Sequence, residues 1–202
     1  MKAYKWIERS LLMRIVTCWI AGLVVLLAAA PSKTVAAEGD HAFVGSKKCR
    51  TCHIKEFKSW EKTKMAQAFE LLKPGVRVEA KTAAGVDPDK DYTADPECVR
   101  CHVTGHGSEG GFVDIASTPN LAGVGCEMCH GAGGTYIKKG YMTLKNKEYK
   151  KADIVAVGMV AEITEAQCVS CHNSDSPFFK EFDFELRKAD GTHENFPLKY
   201  KH

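Results

Sequence analysis

Residues 126–130 read Cys126-Glu127-Met128-Cys129-His130, and the same Cys-x-x-Cys-His string stands at Cys49-Arg50-Thr51-Cys52-His53, Cys98-Val99-Arg100-Cys101-His102 and Cys168-Val169-Ser170-Cys171-His172. This string is the attachment signal for c-type haem. Two thiols add to the porphyrin vinyl groups, and the adjacent imidazole takes the iron from one face. On a helical turn, positions i, i+3 and i+4 share a face, so both sulfurs and the imidazole can meet one flat macrocycle. Cys-x-x-Cys by itself also serves zinc ribbons, iron–sulfur clusters and dithiol redox sites. None of these requires a histidine directly after the second cysteine in every repeat. Eight of the nine cysteines lie in the motifs, which leaves no disulfide framework. Four covalently bound haem c groups are expected, with His53, His102, His130 and His172 as proximal iron ligands.

Upstream of the motifs, Lys2, Lys5, Arg9 and Arg14 form a basic head, and Ile15 to Ala30 is an almost unbroken apolar run. Pro31 closes that run, and Val35-Ala36-Ala37 offers small residues for cleavage before Glu38. The pattern predicts a secretory signal peptide over 1–37, followed by a tetrahaem domain over 38–202. The apolar run falls a little short of the roughly 20 residues that span a bilayer. The ninth cysteine, Cys18, sits inside this run. The whole chain carries a formal charge of +3. Without the first 37 residues, acidic groups outnumber basic ones by one. That balance gives no basis for a nucleic-acid partner.

The remaining chain is long enough for one domain. Long apolar-periodic helices and alternating strands are not prominent in it. The fold class expected is mainly α: short helices and loops wrapped around four haems that supply much of the interior. The apoprotein is then expected not to fold, as zinc fingers do not without metal. Ser46, Asp95-Pro96-Glu97 and Thr164 to Gln167 predict helix starts ahead of the first, second and fourth motifs. Gly123-Val124-Gly125 and Gly131 to Gly134 frame the third motif and predict close approach of backbone to a haem plane. The apolar stripes Ile54, Phe57, Trp60 and Met65, Phe69, Leu72 predict one long helix over Cys52 to Leu72. Residues 76–95 read as a surface loop, Gly110 to Ile115 as a short strand or hairpin arm, and Thr143 to Val157 as a solvated, weakly helical connection.

From Phe43 to His193 the sequence resembles the tetrahaem cytochrome c-554 family. The segments that carry the resemblance are "ECVRCHVTGHG", "GGF", "LAGVGCEMCHGAG" and "QCVSCHN…SPFFKEFDFE", with Ser59-Trp60, "LLKPGV" and "DPDKDYT" in support. The motifs alone would indicate only a multihaem cytochrome; the "GVGCExCHG" context narrows it. The resemblance implies a mostly helical protein with stacked and near-stacked porphyrins, carrying electrons between periplasmic partners.

It also bears on the second iron ligands. Outside the motifs, the histidines are His41, His106, His193 and His202. The family has one distal histidine on the helix after the first motif, where this chain has Met65. A second follows the third motif by about ten residues, near Gly140 and two residues before Met142. A third lies past a Phe-Asp pair near the C-terminus, which here places it at His193. His193, Met65 and Met142 are therefore the candidate distal ligands. Thioether ligation of a haem raises its potential relative to two imidazoles; methionine on an apolar stripe also packs as core. His106, four residues past His102, reads as a surface histidine. The family further implies a weakly ligated, five-coordinate iron at the second motif.

The function expected is electron transfer rather than enzyme catalysis. The partners expected are an electron donor and an acceptor, other cytochromes or membrane quinol-oxidising complexes, with only peripheral membrane contact. The location expected is the periplasm, or the cell surface. Two alternatives carry different chemistry: a reductase of NO or nitrite at the open haem, which needs a proton donor over the vacant position, or a subunit of an extracellular cytochrome filament, with histidines donated between neighbours.

Overall fold

The computed structural model describes residues 42–197. The expected signal segment, His41 and His202 lie outside the described residues. The elements are α1 (Ser46–Cys49), α2 (Ile54–Trp60), a 3-10 turn (Ala68–Leu72), α3 (Val78–Ala83), α4 (Pro96–Val99), a second 3-10 turn (Pro119–Leu121), α5 (Cys126–His130), α6 (Lys151–Val155), α7 (Glu165–Val169) and α8 (Phe184–Asp190). Among the described residues there is no strand, only isolated bridges at Val103–Ala122 and Thr143–Asn146. The longest helices among the described residues have seven residues. Helices shorter than about 12 residues do not hold in water by themselves, so these are held by what packs on them. The mainly helical, loop-rich class is as the sequence led one to expect.

One polypeptide core does exist, and it lies around the second motif. Phe69, Leu72, Tyr92, Val99, Val103, Phe112 and Leu121 form it, with Phe43, Val86, Cys98 and Ala122 packed alongside. The Phe69 and Phe112 rings meet at 5.8 Å in a tilted pair, a favoured aromatic geometry. Residues 76–95 are more ordered than a surface loop. They carry α3, and Lys81 buries its stem while Nζ donates to Lys73 O at 2.8 Å. Tyr92 also turns inward, and its hydroxyl donates to Asp87 O at 3.1 Å. The charge-rich text of this stretch concealed two inward-pointing side chains.

The single helix expected over Cys52 to Leu72 is broken. α2 ends at Trp60, and the chain becomes helical again only as the 3-10 turn at Ala68. Carbonyls that a continuous helix would use are taken by distant groups. Met65 O accepts from Val124 N at 2.9 Å, and Ala68 O meets His102 Nδ1 at 2.6 Å. Trp60 Nε1 donates to Val124 O at 3.0 Å. Hydrogen bonds across the fold thus replace the i→i−4 ladder.

The helix starts divide. Asp95 caps α4 as expected: its side chain accepts from Glu97 N at 3.2 Å, with Pro96 at the first helical position. At α7, Gln167 Oε1 accepts from Thr164 N at 2.9 Å, the reach-back of a capping box. Ser46 is not a cap. Gly45 precedes α1, and the buried Ser46 hydroxyl instead accepts from Cys126 N at 3.1 Å. Residues 110–115 form no strand. Residues 143–157 contain α6, with Ile154 buried.

Candidate haem sites

Each motif begins on a helical turn. His53 N donates to Cys49 O and His172 N to Cys168 O, both at 2.9 Å, and His102 N donates to Val99 O at 2.9 Å. α5 contains the whole third motif. The motif backbones therefore carry the helical winding that places two thiols and an imidazole on one side.

The eight motif thiols are free of disulfides. Among the described residues, no group of three or more His, Cys, Asp or Glu side chains converges on a point that would chelate a bare ion. A tetrahedral zinc site needs that convergence. A donor set spread along one face suits a macrocycle held at its rim. The residues present therefore fit covalent haem better than zinc.

Motifs far apart in sequence are neighbours in space. Ser46, in α1, accepts from Cys126 N at 3.1 Å, and the Cys49 and Cys126 thiols lie near enough to shift each other's ionisation. The neighbouring Cys49 holds the Cys126 thiol down at about 6, with the Ser46 hydroxyl assisting against burial. The same contact, together with burial, pushes Cys49 well up. Burial first, and then the neighbouring Cys171 thiol, pushes Cys101 up to about 12. The first motif thus adjoins the third, and the second adjoins the fourth. Arg100 Nη2 reaches Asp175 Oδ2 at 3.1 Å, which ties the second motif to the loop after the fourth. Gln167 Nε2 donates to Cys129 O at 3.3 Å, which ties the fourth motif to the third.

The imidazoles are individually oriented. His102 Nδ1 faces Ala68 O, and a carbonyl only accepts, so Nδ1 carries the proton and Nε2 keeps a free lone pair. His172 stacks on Phe182 with centroids 4.7 Å apart. Burial lowers the proton affinity of His130 and His172, with neighbouring cationic groups adding to the effect. A lowered proton affinity favours the neutral imidazole that binds metal.

His193 comes to the third motif. Its ring lies 6.2 Å from that of His130, with planes 31° apart. An imidazole nitrogen binds a transition metal at about 2.0 Å and sits roughly 1.1 Å from its own ring centre, so two rings on opposite sides of one metal stand about 6.2 Å apart. The two rings have the spacing of a pair sharing one iron. His193 Nδ1 donates to Glu194 O at 2.8 Å, which leaves Nε2 as the ring nitrogen outside that bond. Glu194 N donates to Ser59 Oγ at 2.9 Å and fastens this segment just before α2 ends.

The other candidate ligands are placed less tellingly. Met65 lies half-buried between α2 and the first 3-10 turn, and its carbonyl is bonded to Val124 N. Met142 is half-buried, and its backbone N donates to Tyr136 O at 3.0 Å. Neither sulfur makes a hydrogen bond among the described residues. His106 is exposed in its turn.

Two features escaped the sequence reading. The Met128 sulfur, inside the third motif, accepts from Gly105 N at 3.2 Å. Glu127, also inside that motif, is buried, and its carboxylate accepts from Val44 N, Gly45 N and Gly133 N. The glycines flanking this motif approach protein atoms. A Cβ on Gly125 would stand 2.6 Å from Ser46 Oγ, and one on Gly133 would stand 3.1 Å from Glu127 Oε1. A carboxylate set between the two cysteines of a haem-attachment motif was the available signal.

Residues 48–131 match the family described as cytochrome c554 and c-prime. A cytochrome c-554 of Nitrosomonas europaea is 36% identical over 185 residues, spanning 79% of this chain and 78% of that protein. The solved structure of the reduced state of cytochrome c554 from Nitrosomonas europaea superposes with a TM-score of 0.68 at 35% identity, covering 80% of this chain and 89% of the other.

Proposed function

The chain belongs to the cytochrome c554 family, and from that premise we propose that it is a periplasmic four-haem electron carrier. Family membership makes it a c-type cytochrome with covalent haem that takes part in electron transfer between redox partner proteins.

The observation that carries it is the pairwise approach of the motifs. The Cys49–Cys126 and Cys101–Cys171 contacts, joined by the Gln167–Cys129 bond, give a path from the first motif to the third, the fourth and the second. Attachment at these thiols would set each cofactor against its neighbour, which a carrier needs for rapid internal transfer. The haem supplies the one-electron chemistry. The eight motif cysteines would hold the rims as thioethers, while Ala68 O orients the His102 ring and Phe182 packs on His172.

The third site would take His130 and His193 as its two axial ligands. Met65 and Met142 stand as candidate distal ligands of the remaining sites. Among the described residues, no helix is long and apolar enough to cross a membrane. The exported location rests on the sequence pattern over 1–37 and on the chemistry of haem attachment.

The test is a whole-protein mass spectrum combined with rapid-mixing reduction. Four added haems, and rapid reduction and reoxidation by one-electron donors and acceptors without turnover of NO, nitrite or hydroxylamine, are expected. Fewer than four haems, or steady turnover of one of those substrates, overturns the carrier reading.

A further inference from the structure

Glu127 is 2% exposed, yet it is a charged side chain placed between the two cysteines of the third motif. Burying a carboxylate costs several kcal/mol in desolvation unless strong donors replace water. Three backbone N–H groups do so here. Val44 N donates to both oxygens at 2.9 and 3.1 Å, Gly45 N donates to Oε2 at 2.7 Å, and Gly133 N donates to Oε1 at 2.7 Å. The donors come from two segments, one leading into the first motif and one leaving the third. Val44 and Gly45 immediately precede α1, which ends on Cys49. The carboxylate therefore ties the entry of the first motif to the body of the third, on the same side of the fold where Cys49 and Cys126 touch. Its field also reaches the first motif: it is one of the charges that disfavour ionisation of Cys49, behind the neighbouring Cys126 thiol and burial.

We propose that Glu127 is a positioning residue that clamps the first and third haem-attachment sites together and, as a fixed negative charge between them, lowers the reduction potentials of those two haems. This rests on the four-haem reading above. Its physics is the stabilisation of the ferric state, which carries one more positive charge than the ferrous state, by a buried anion. The second and fourth sites, paired through Cys101 and Cys171, lie outside the clamp.

The experiment is a spectroelectrochemical titration of the intact holoprotein as wild type, Glu127→Gln and Glu127→Asp, each first checked for four haems by mass. Glu127→Gln keeps the size and removes the charge. Two of the four potentials are expected to rise, with the oxidised-to-reduced ratio at fixed potential falling about tenfold, which is 59 mV for a one-electron couple. The other two should move much less. Glu127→Asp keeps the charge and is expected to stay within about twofold of wild type. Four unchanged potentials overturn the proposal, as does an equal shift of all four or an aspartate variant that behaves like the glutamine one. Should Glu127→Gln fail to acquire four haems, the aspartate variant decides: four haems with wild-type potentials support the clamp, and failure of both variants overturns it. A wild type with fewer than four haems would instead sink the functional reading.

Discussion

Replacing His193 by alanine tests the third site most directly. The 6.2 Å separation of the His130 and His193 rings leaves space for one iron between them. The substitution should therefore change one haem in four. That haem loses a strong-field imidazole and becomes high-spin; with the second site already high-spin, three haems supply the ferric low-spin signal, so about a third of it is replaced by a high-spin signal. Its potential should rise, because an imidazole that favours the ferric state is gone. The anchoring of the segment predicts a graded companion. Glu194 N donates to Ser59 Oγ at an exposed position, and such a bond contributes about 1 kcal/mol net, or roughly a fivefold factor in the ligated-to-open ratio. Ser59→Ala should thus leave the site ligated at rest and raise its rate of capture by cyanide by a comparable factor. Electron paramagnetic resonance and optical spectra of the ferric proteins read both variants, and added imidazole should restore the low-spin signal in His193→Ala. An unchanged spin state in that variant, or two haems turning high-spin together, would refute the assignment.

Other outcomes follow from the same geometry. Wild-type ferric protein should show one high-spin haem that shifts with cyanide or NO, from the site proximal to His102; a wholly low-spin spectrum would count against an open second site. If Met65 ligates iron, the sulfur-to-iron absorption band at the red end of the ferric spectrum should vanish in Met65→Ala, while persistence of the band would assign the residue to packing. Phe69→Ala removes a ring from the core beside the second motif, where Phe69 is 4% exposed, and should cost about 3–5 kcal/mol in chemical denaturation with four haems retained. Protein made without haem attachment should lack a cooperative thermal transition by circular dichroism, because its helices are too short to persist alone.

The sequence by itself determined the chemistry. Four Cys-x-x-Cys-His strings name the cofactor, because covalent attachment depends on local spacing that one helical turn supplies. The Asp95 cap and the Thr164–Gln167 reach-back were also legible, since both partners of each bond lie within three residues. Tertiary structure decided everything that depends on which distant segments meet. It broke the helix expected over 52–72, because Val124 and His102 claim the groups that would have continued it. It turned Ser46 from a cap into a partner of Cys126, and it brought His193 to His130 rather than to any nearer motif. It set the first motif against the third and the second against the fourth. Periodicity reports which face of an element is apolar, but it carries no information on what that face will touch. The order of neighbouring haems is a property of contacts between segments remote in the chain, and only the folded arrangement fixes it.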